Sequence, residues 1–158
     1  MRSHETALAG FIARDSALRY CLAVVIEGQR TFAVGDVFTC SRCCDELRSI
    51  FYAAAGGDFN KIHIDDDAGR RAGHGGRILH GLCTLAWAVE AVRGHVGAGA
   101  VVTRVRARFT APVRAGDVIT FAGSIVAREG DRLSTRVAAR NQRGESVLKG
   151  AIVDVRLP

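Results

Sequence analysis

The sequence has no apolar run long enough to cross a bilayer, because charged residues such as Arg14, Asp15 and Arg19 interrupt its short apolar stretches. The same interruptions leave no hydrophobic segment of a secretory signal near the amino terminus. We therefore expect a cytoplasmic protein with no membrane partner. The composition, 48% hydrophobic and 24% charged, excludes a disordered or fibrous chain, and 158 residues suffice for one domain with a core.

Cysteine occurs five times, an odd number that does not favour a secreted disulfide framework, which is built from pairs. Cys40 and Cys43 form one C-x-x-C motif without a second pair or a nearby histidine, so a zinc site is not expected there. We interpret the motif as small side chains near the start of a helix. The acidic residues 65–67 and the histidines around them lack regular ligand spacing, and the sequence predicts no metal.

Lysine is scarce: Lys61 and Lys149 are the only two among 22 basic residues, and the rest are arginine. The net charge of +6 is compatible with an anionic ligand such as the phosphates of coenzyme A. An arginine-biased composition alone would give the same charge. Because the basic residues are spread along the sequence, a nucleic-acid partner is not expected.

Two helices are predicted in the first two thirds of the chain. Residues 45–55 have helical apolar spacing, two acidic residues in the first turn, and a glycine pair ending in Gly57 as the stop. Residues 58–67 follow as a polar loop. The second helix, residues 81–93, is apolar nearly all round and is therefore predicted to be buried, with Gly94 among the glycines that break it.

From Val101 onward the pattern has a period of two, as in Val105, Ala107 and Phe109 alternating with arginines. Three more strands are predicted at 118–128, 133–141 and 147–157, with short turns between the last three strands, and one or two further strands near the amino terminus, such as 22–26. This order predicts an α+β fold in which an antiparallel meander curves around the buried helix. That arrangement is the hot-dog fold.

Two groups of residues are candidates for chemistry. Asp58 and His63 lie five residues apart on the polar loop, where a carboxylate and an imidazole could converge on one water molecule; an Asx turn with a solvated histidine would give the same spacing. His80 and Gly81 open the apolar helix, whose first amides have no helical partner. Gly81 could therefore form an oxyanion hole, or serve only close packing of the helix against the sheet.

These residues carry a family resemblance. Residues 52–63 resemble the hydratase motif of the MaoC-like, (R)-specific enoyl-CoA hydratase family, and residues 78–82 resemble its second motif, an aliphatic-His-Gly turn into the central helix. Residues 109–113 and 116–118 are similar to its strand-turn-strand segment. Two separated motifs in the family's order are more specific than either alone. We assign residues 31–158 to a MaoC-like hot-dog domain and residues 1–30 to an amino-terminal extension of unclear structure.

The resemblance implies reversible hydration of a trans-2-enoyl thioester to an (R)-3-hydroxyacyl thioester, by a homodimer with active sites near the subunit interface. It implies no metal and no cofactor apart from the coenzyme A of the substrate. Asp58 and His63 would be the acid–base pair that holds the water. Gly81 would donate its N–H to the thioester oxygen, with Asn60 and His80 as further substrate-site residues, Asn60 chiefly as a brace of the loop.

One residue departs from the family pattern: Lys61 stands where proline is usual. The loss of a fixed φ should loosen the loop, and the ammonium group could act on the Asp58 and His63 pair, reach a phosphate of coenzyme A, or remain solvated. A hot-dog thioesterase and a non-catalytic subunit of a dehydratase complex are the alternative functions. The sequence leaves open the acyl chain length, the direction of the reaction, and whether coenzyme A or an acyl carrier protein bears the acyl group.

Overall fold

The computed structural model describes residues 31–158, so the predicted strand at 22–26 lies outside the described residues. The described part contains five strands and four helices. In chain order they are β1 (Val37–Cys43), α1 (Arg48–Gly56), α2 (Lys61–Ile64), α3 (Asp66–Arg71), α4 (Gly81–Val96), β2 (Val101–Phe109), β3 (Val118–Glu129), β4 (Arg132–Arg140) and β5 (Ser146–Arg156).

The five strands form one antiparallel sheet in the order β1-β3-β4-β5-β2, and α4 packs against one face of it. The predicted α+β hot-dog fold is confirmed. The predicted simple meander is wrong in one respect, because β2 pairs with β5 and not with β3. Apolar alternation identifies a strand but not its neighbour, and residues 110–117 are long enough to carry the chain to the other side of the sheet.

The core lies between the sheet and α4. Alternate residues of the strands point to the helix, and Phe121, Val137 and Val153 are completely buried there, opposite Ala88 and Val92 of α4. Burial of apolar surface of this kind is the main stabilising contribution, at about 25 cal/mol per Å². The alternating apolar residues of the strands and the apolar face of α4 therefore pack against each other in one core.

Helix α4 is less buried and longer than the sequence predicts. Leu82 and Ala86 lie on an exposed stripe that continues through Glu90, although the sequence predicts a buried helix because it is apolar nearly all round. Gly94 does not break the helix, which continues to Val96 and ends at Gly97. A single glycine costs a helix only about 1 kcal/mol, which packing of the other face offsets.

The segment before α1 also differs from the prediction. The helix predicted at 45–55 starts at Arg48, because the Asp45 side chain accepts a hydrogen bond from the Leu47 amide (3.0 Å) and holds a turn ahead of it. Its predicted stop is confirmed: Gly57 is left-handed, with φ of 70°. Cys40 and Cys43 lie in strand β1 and not at a helix start.

The predicted polar loop at 58–67 contains two short helices. The Asn60 side chain accepts from the Ile62 amide (3.3 Å) at the start of α2, and the Asp65 side chain accepts from the amides of Asp67 (2.7 Å) and Ala68 (3.0 Å) at the start of α3. Such caps satisfy amides that have no helical partner. Helices this short have no apolar period, so only their capping residues were visible in the sequence.

No helix within residues 31–158 has the length and hydropathy that a membrane crossing requires. The cytoplasmic location stays a prediction from the sequence.

Candidate active site

His63 is oriented by a backbone carbonyl. Its Nδ1 lies 2.8 Å from the Ile78 oxygen, and because a carbonyl only accepts, Nδ1 carries the hydrogen of the neutral ring. Nε2 is then an acceptor, and it lies 4.0 Å from Oδ2 of Asp58. The structure thus brings together the two residues that the sequence placed five positions apart, and it gives the imidazole a defined tautomer.

Asp58 follows the left-handed Gly57 and forms an Asx turn, in which Oδ1 accepts from the Asn60 amide at 3.2 Å. The other oxygen, Oδ2, faces the histidines. The Asx turn of the alternative interpretation is therefore present, but its solvated histidine is not, because the His63 side chain is only 12% exposed and faces the other carboxylate oxygen. The Asp58 side chain is 55% exposed, and solvent can reach the space between the pair.

His80 lies beneath the pair and is only 3% exposed. Its Nε2 is 2.9 Å from the Asp58 carbonyl oxygen and therefore donates to it, and its ring stacks on His63 with a centroid separation of 3.8 Å. Tyr52 packs against its ring at 4.9 Å. Sequence reasoning placed His80 among substrate-binding residues; the contacts observed are with the protein groups that position Asp58 and His63.

Gly81 is the first residue of α4, so no helical carbonyl can accept its N–H. A Cβ at this position would lie 3.3 Å from atoms of the Phe109 ring, which is tighter than ordinary packing. Both interpretations of this glycine fit the geometry. It allows close contact between helix and sheet, and at the positive end of the helix it leaves an N–H that has no backbone acceptor among residues 31–158.

A pocket of about 330 Å³ opens beside these groups. His63 and Gly81 line one part of it, and Asp58 lies next to His63 at its edge. The lining is mostly apolar and comes from α2, the segment 72–80, α4, the end of β2 with the residues after it, and β5: His63, His74, Ile78, Leu79, Gly81, Thr84, Phe109, Thr110, Ala111, Pro112 and Val147. Sequence reasoning missed His74, Thr84 and Thr110, because no local pattern joins residues that only the fold brings together.

Asn60 and Lys61 hold the beginning of α2. Asn60 is its N-cap, which agrees with its predicted role as a brace. Lys61 occupies the first helical position, where proline fits best because its missing N–H has no helical acceptor in any case. The proline that is usual in the family pattern would therefore fit the position of Lys61. Lys61 is exposed, and among residues 31–158 it forms no ion pair.

Asp58, His63 and His80 place one potential ligand atom each within 4.8 Å of one another. The hydrogen bonds of the two histidines make this a poor metal site. His63 has only Nε2 free, and His80 would have to give up its bond to the Asp58 carbonyl, which leaves fewer than the three protein ligands of a catalytic zinc centre. The arrangement favours a polar molecule held between Asp58 and His63.

Comparison with known proteins decides the family. Residues 29–146 match the family model described as MaoC like domain. This chain belongs to the MaoC-like domain family.

Two curated relatives and one solved structure illustrate the similarity. The peroxisomal multifunctional enzyme type 2 of Drosophila melanogaster is 34% identical over 63% of this chain, which matches only 16% of that enzyme's length. The 3-hydroxybutyryl-CoA dehydratase of Methylorubrum extorquens is 33% identical over 68% of this chain and 69% of its own length. The unliganded R-hydratase PhaJ1 from Pseudomonas aeruginosa superposes with a TM-score of 0.74 and 25% identity, over 80% of this chain and 83% of that one.

Proposed function

We propose that this MaoC-like domain catalyses the reversible hydration of trans-2-enoyl thioesters to (R)-3-hydroxyacyl thioesters. The observation that carries the proposal is the separation of 4.0 Å between His63 Nε2 and Asp58 Oδ2, beside a pocket whose wall includes Gly81. Names of relatives, a dehydratase of 3-hydroxybutyryl-CoA and an R-hydratase, support the same chemistry.

The separation suits one water molecule. At 4.0 Å the two atoms are too far apart for a direct hydrogen bond, and a water between them can donate one hydrogen to Nε2 and the other to Oδ2. Its oxygen lone pairs then face the substrate. As the water oxygen bonds to the β-carbon of the substrate, His63 accepts a proton from the water. The pair of His63 and Asp58, which now carries this proton, returns a proton to the α-carbon. Positioned acid–base groups of this kind contribute about 10²- to 10⁴-fold in rate.

Negative charge develops on the thioester oxygen as the water adds. The Gly81 N–H, which has no helical acceptor because Gly81 begins α4, is the proposed donor to that oxygen. One such donor is worth about 3 kcal/mol of transition-state stabilisation. The apolar part of the pocket, around Phe109 and Val147, would then hold the acyl chain.

We further propose a homodimer that covers the edge of the sheet at β2, with which β5 alone pairs among the strands of residues 31–158. This edge strand exposes apolar side chains on the helix side of the sheet, with Val105 at 37% and Phe109 at 45%, although equivalent positions in β3 and β4 are buried. Phe59 and Leu82 are also exposed, next to Asp58 and Gly81 respectively. An unpaired strand edge beside exposed apolar residues is typical of an interface. The same contact would shield the site from bulk solvent.

The direct test is the loss of enoyl absorbance when the protein is added to crotonyl-CoA. Asp58→Asn and His63→Ala should each lower kcat by about 100-fold or more. Asp67→Asn, a change of the same kind at an exposed carboxylate of α3, is the matched control and should retain full activity. An (R) product without free thiol supports hydration. Release of thiol would instead identify a thioesterase, and full activity of Asp58→Asn and His63→Ala would exclude the proposed pair.

A further inference from the structure

One nitrogen of His80 is buried without a partner. The side chain is only 3% exposed, and its Nδ1 has no hydrogen-bond partner among residues 31–158. Buried polar atoms are nearly always paired, because an unpaired one has lost its hydrogen bonds to water without a replacement. A phenylalanine would fill a similar space without that loss. The presence of a histidine at this position therefore requires a reason other than packing.

The other nitrogen of His80 supplies one reason. Nε2 lies 2.9 Å from the carbonyl oxygen of Asp58, and because a carbonyl only accepts, Nε2 bears the hydrogen of the neutral ring. This bond ties the residue before α4 to the turn at Asp58, whose Oδ2 lies 4.0 Å from His63 Nε2. A backbone that is held at Asp58 limits where its carboxylate can lie. The bond from His80 therefore sets one half of the geometry of the pair.

The ring of His80 supplies a second reason. It stacks on the His63 ring with centroids 3.8 Å apart and an interplanar angle of 25°. His63 is bonded to the Ile78 carbonyl at Nδ1, so its ring could still turn about that bond, and the flat face of His80 opposes such a turn. Among side chains of this size, histidine offers both a flat ring and an N–H donor, whereas phenylalanine lacks the donor and glutamine lacks the ring.

The buried Nδ1 also decides which of the two rings can take a proton. Asp58 Oδ2 lies 4.0 Å from His63 Nε2 and 3.9 Å from His80 Nε2, so its charge favours neither ring. The free lone pair of His80 is on Nδ1, where an added proton would be buried without an acceptor among residues 31–158. The free lone pair of His63 faces Asp58 beside the pocket. Since two charged rings at this separation repel, a proton on His63 keeps His80 neutral.

We propose that His80 is a positioning residue of the candidate site. It holds Asp58 through the backbone and the His63 ring through its face, and it stays neutral while His63 takes the proton. The inference rests on the proposed function and adds one residue to it. His80 does not touch the substrate, because it lies beneath the pair and is not part of the pocket wall. It acts through geometry, since a displacement of reacting groups by about 1 Å can lower a rate about 100-fold.

Three variants separate the two contacts. His80→Gln keeps an N–H donor for the Asp58 carbonyl but has no ring, His80→Phe keeps a ring against His63 but has no donor, and His80→Ala has neither. The matched control is Thr135→Val. Thr135 is also fully buried, and its Oγ1 also has no partner among the described residues, but it lies in β4 away from the pocket wall. For each protein, kcat and KM on crotonyl-CoA and the thermal unfolding temperature are measured.

We expect His80→Ala to lower kcat about 100-fold and the Gln and Phe variants, which each retain one contact, to lower it about tenfold. KM should stay within about twofold, because the pocket wall is unchanged. His80→Phe and Thr135→Val should unfold close to the parent, since each removes an unpartnered buried atom, and Thr135→Val should keep full activity. Parent-like kcat in His80→Phe and His80→Gln, a rise in KM alone, or an equal loss of kcat in Thr135→Val would overturn the proposal.

Crystal structures of the parent and His80→Phe test the positioning without any assay of turnover. The separation of Asp58 Oδ2 from His63 Nε2 should widen from 4.0 Å by about 1 Å when the donor to the Asp58 carbonyl is lost. A separation that stays at the parent value would overturn the proposal. If the parent hydrates no enoyl thioester, the proposed function fails, whereas the two crystal structures still decide whether His80 holds the pair.

Discussion

The segment that bears the candidate site, residues 57–80, is held by polar side chains, whereas the sheet behind it is held by buried apolar ones. In the first region Asn60 and Asp65 cap short helices, and Asp66 binds the Arg77 amide and guanidinium at 3.0 and 3.1 Å. In the second, Phe121 has no exposed surface. Caps and turns contribute about 1 kcal/mol each, while a core aromatic contributes several. Changes in the site segment should therefore affect activity more than stability.

The largest loss of stability is expected in the core. Phe121→Ala should lower the free energy of unfolding by about 3–5 kcal/mol, because it removes a fully buried ring and leaves a cavity under α4. Denaturant unfolding measures the effect. Asp58→Asn, measured in the same way, should stay within about 0.5 kcal/mol of the parent, since its side chain is more than half exposed. Comparable losses of unfolding free energy in the two variants would contradict the proposed difference between the two regions.

Removal of a buried carboxylate should give the next largest loss of stability. Asp117, 2% exposed, accepts from the Arg114 amide (3.0 Å), from Arg143 (2.8 Å) and from Gln142 (3.2 Å), which joins two loops at one end of the sheet. Asp117→Ala should cost about 2–3 kcal/mol, because the Arg114 amide and the Gln142 side chain lose their acceptor, whereas Arg143 keeps Glu145 as a partner. Asp65→Ala, which removes an exposed cap, is the control and should cost about 1 kcal/mol.

The contribution of Asp117 should depend on pH in a defined direction. Burial alone would raise its pKa, but the hydrogen bonds from Arg143, Arg114 and Gln142 together hold the pKa below its usual value. Its charged form is therefore favoured in the folded state, so the stabilisation is present above the unfolded pKa of about 4 and is lost as the pH falls through the folded pKa. The difference between parent and Asp117→Ala should shrink on acidification. A difference that grew would contradict this assignment.

The smallest effect is expected at Lys61. Lys61→Pro places proline at the first position of α2, where its ring is compatible with a helix, and should stabilise the protein by about 0.4–1 kcal/mol through the unfolded state. Thermal unfolding measures it. If proline destabilised the protein instead, Lys61 would have a role in holding the loop that its exposed position does not indicate.

The difference between the polar site segment and the apolar sheet also explains which features could be predicted from the sequence. Strands β2 to β5 and helix α4 follow from apolar periodicity, since alternate burial is encoded locally. The pairing of β2 with β5 could not be predicted, because it depends on the path of residues 110–117. Helices α2 and α3 were missed, because only the caps Asn60 and Asp65 mark them.

Within the site, spacing alone could not decide whether Asp58 and His63 converge; the family resemblance suggested it. The contact between His80 and the Asp58 carbonyl joins residues 22 positions apart, and no local pattern encodes it. The arginines of β2, β4 and β5 are an opposite case, because they are dispersed in the sequence and only the register of these strands brings them to the face of the sheet opposite α4.

The central claim is that Asp58 and His63 act together on one water molecule. The most direct measurement is kcat on crotonyl-CoA for Asp58→Asn, His63→Ala and the double variant. Groups that act as a unit are strongly non-additive, so the double variant should be no slower than the slower single variant within about twofold. If the two losses multiply, the residues act independently and the shared water is contradicted.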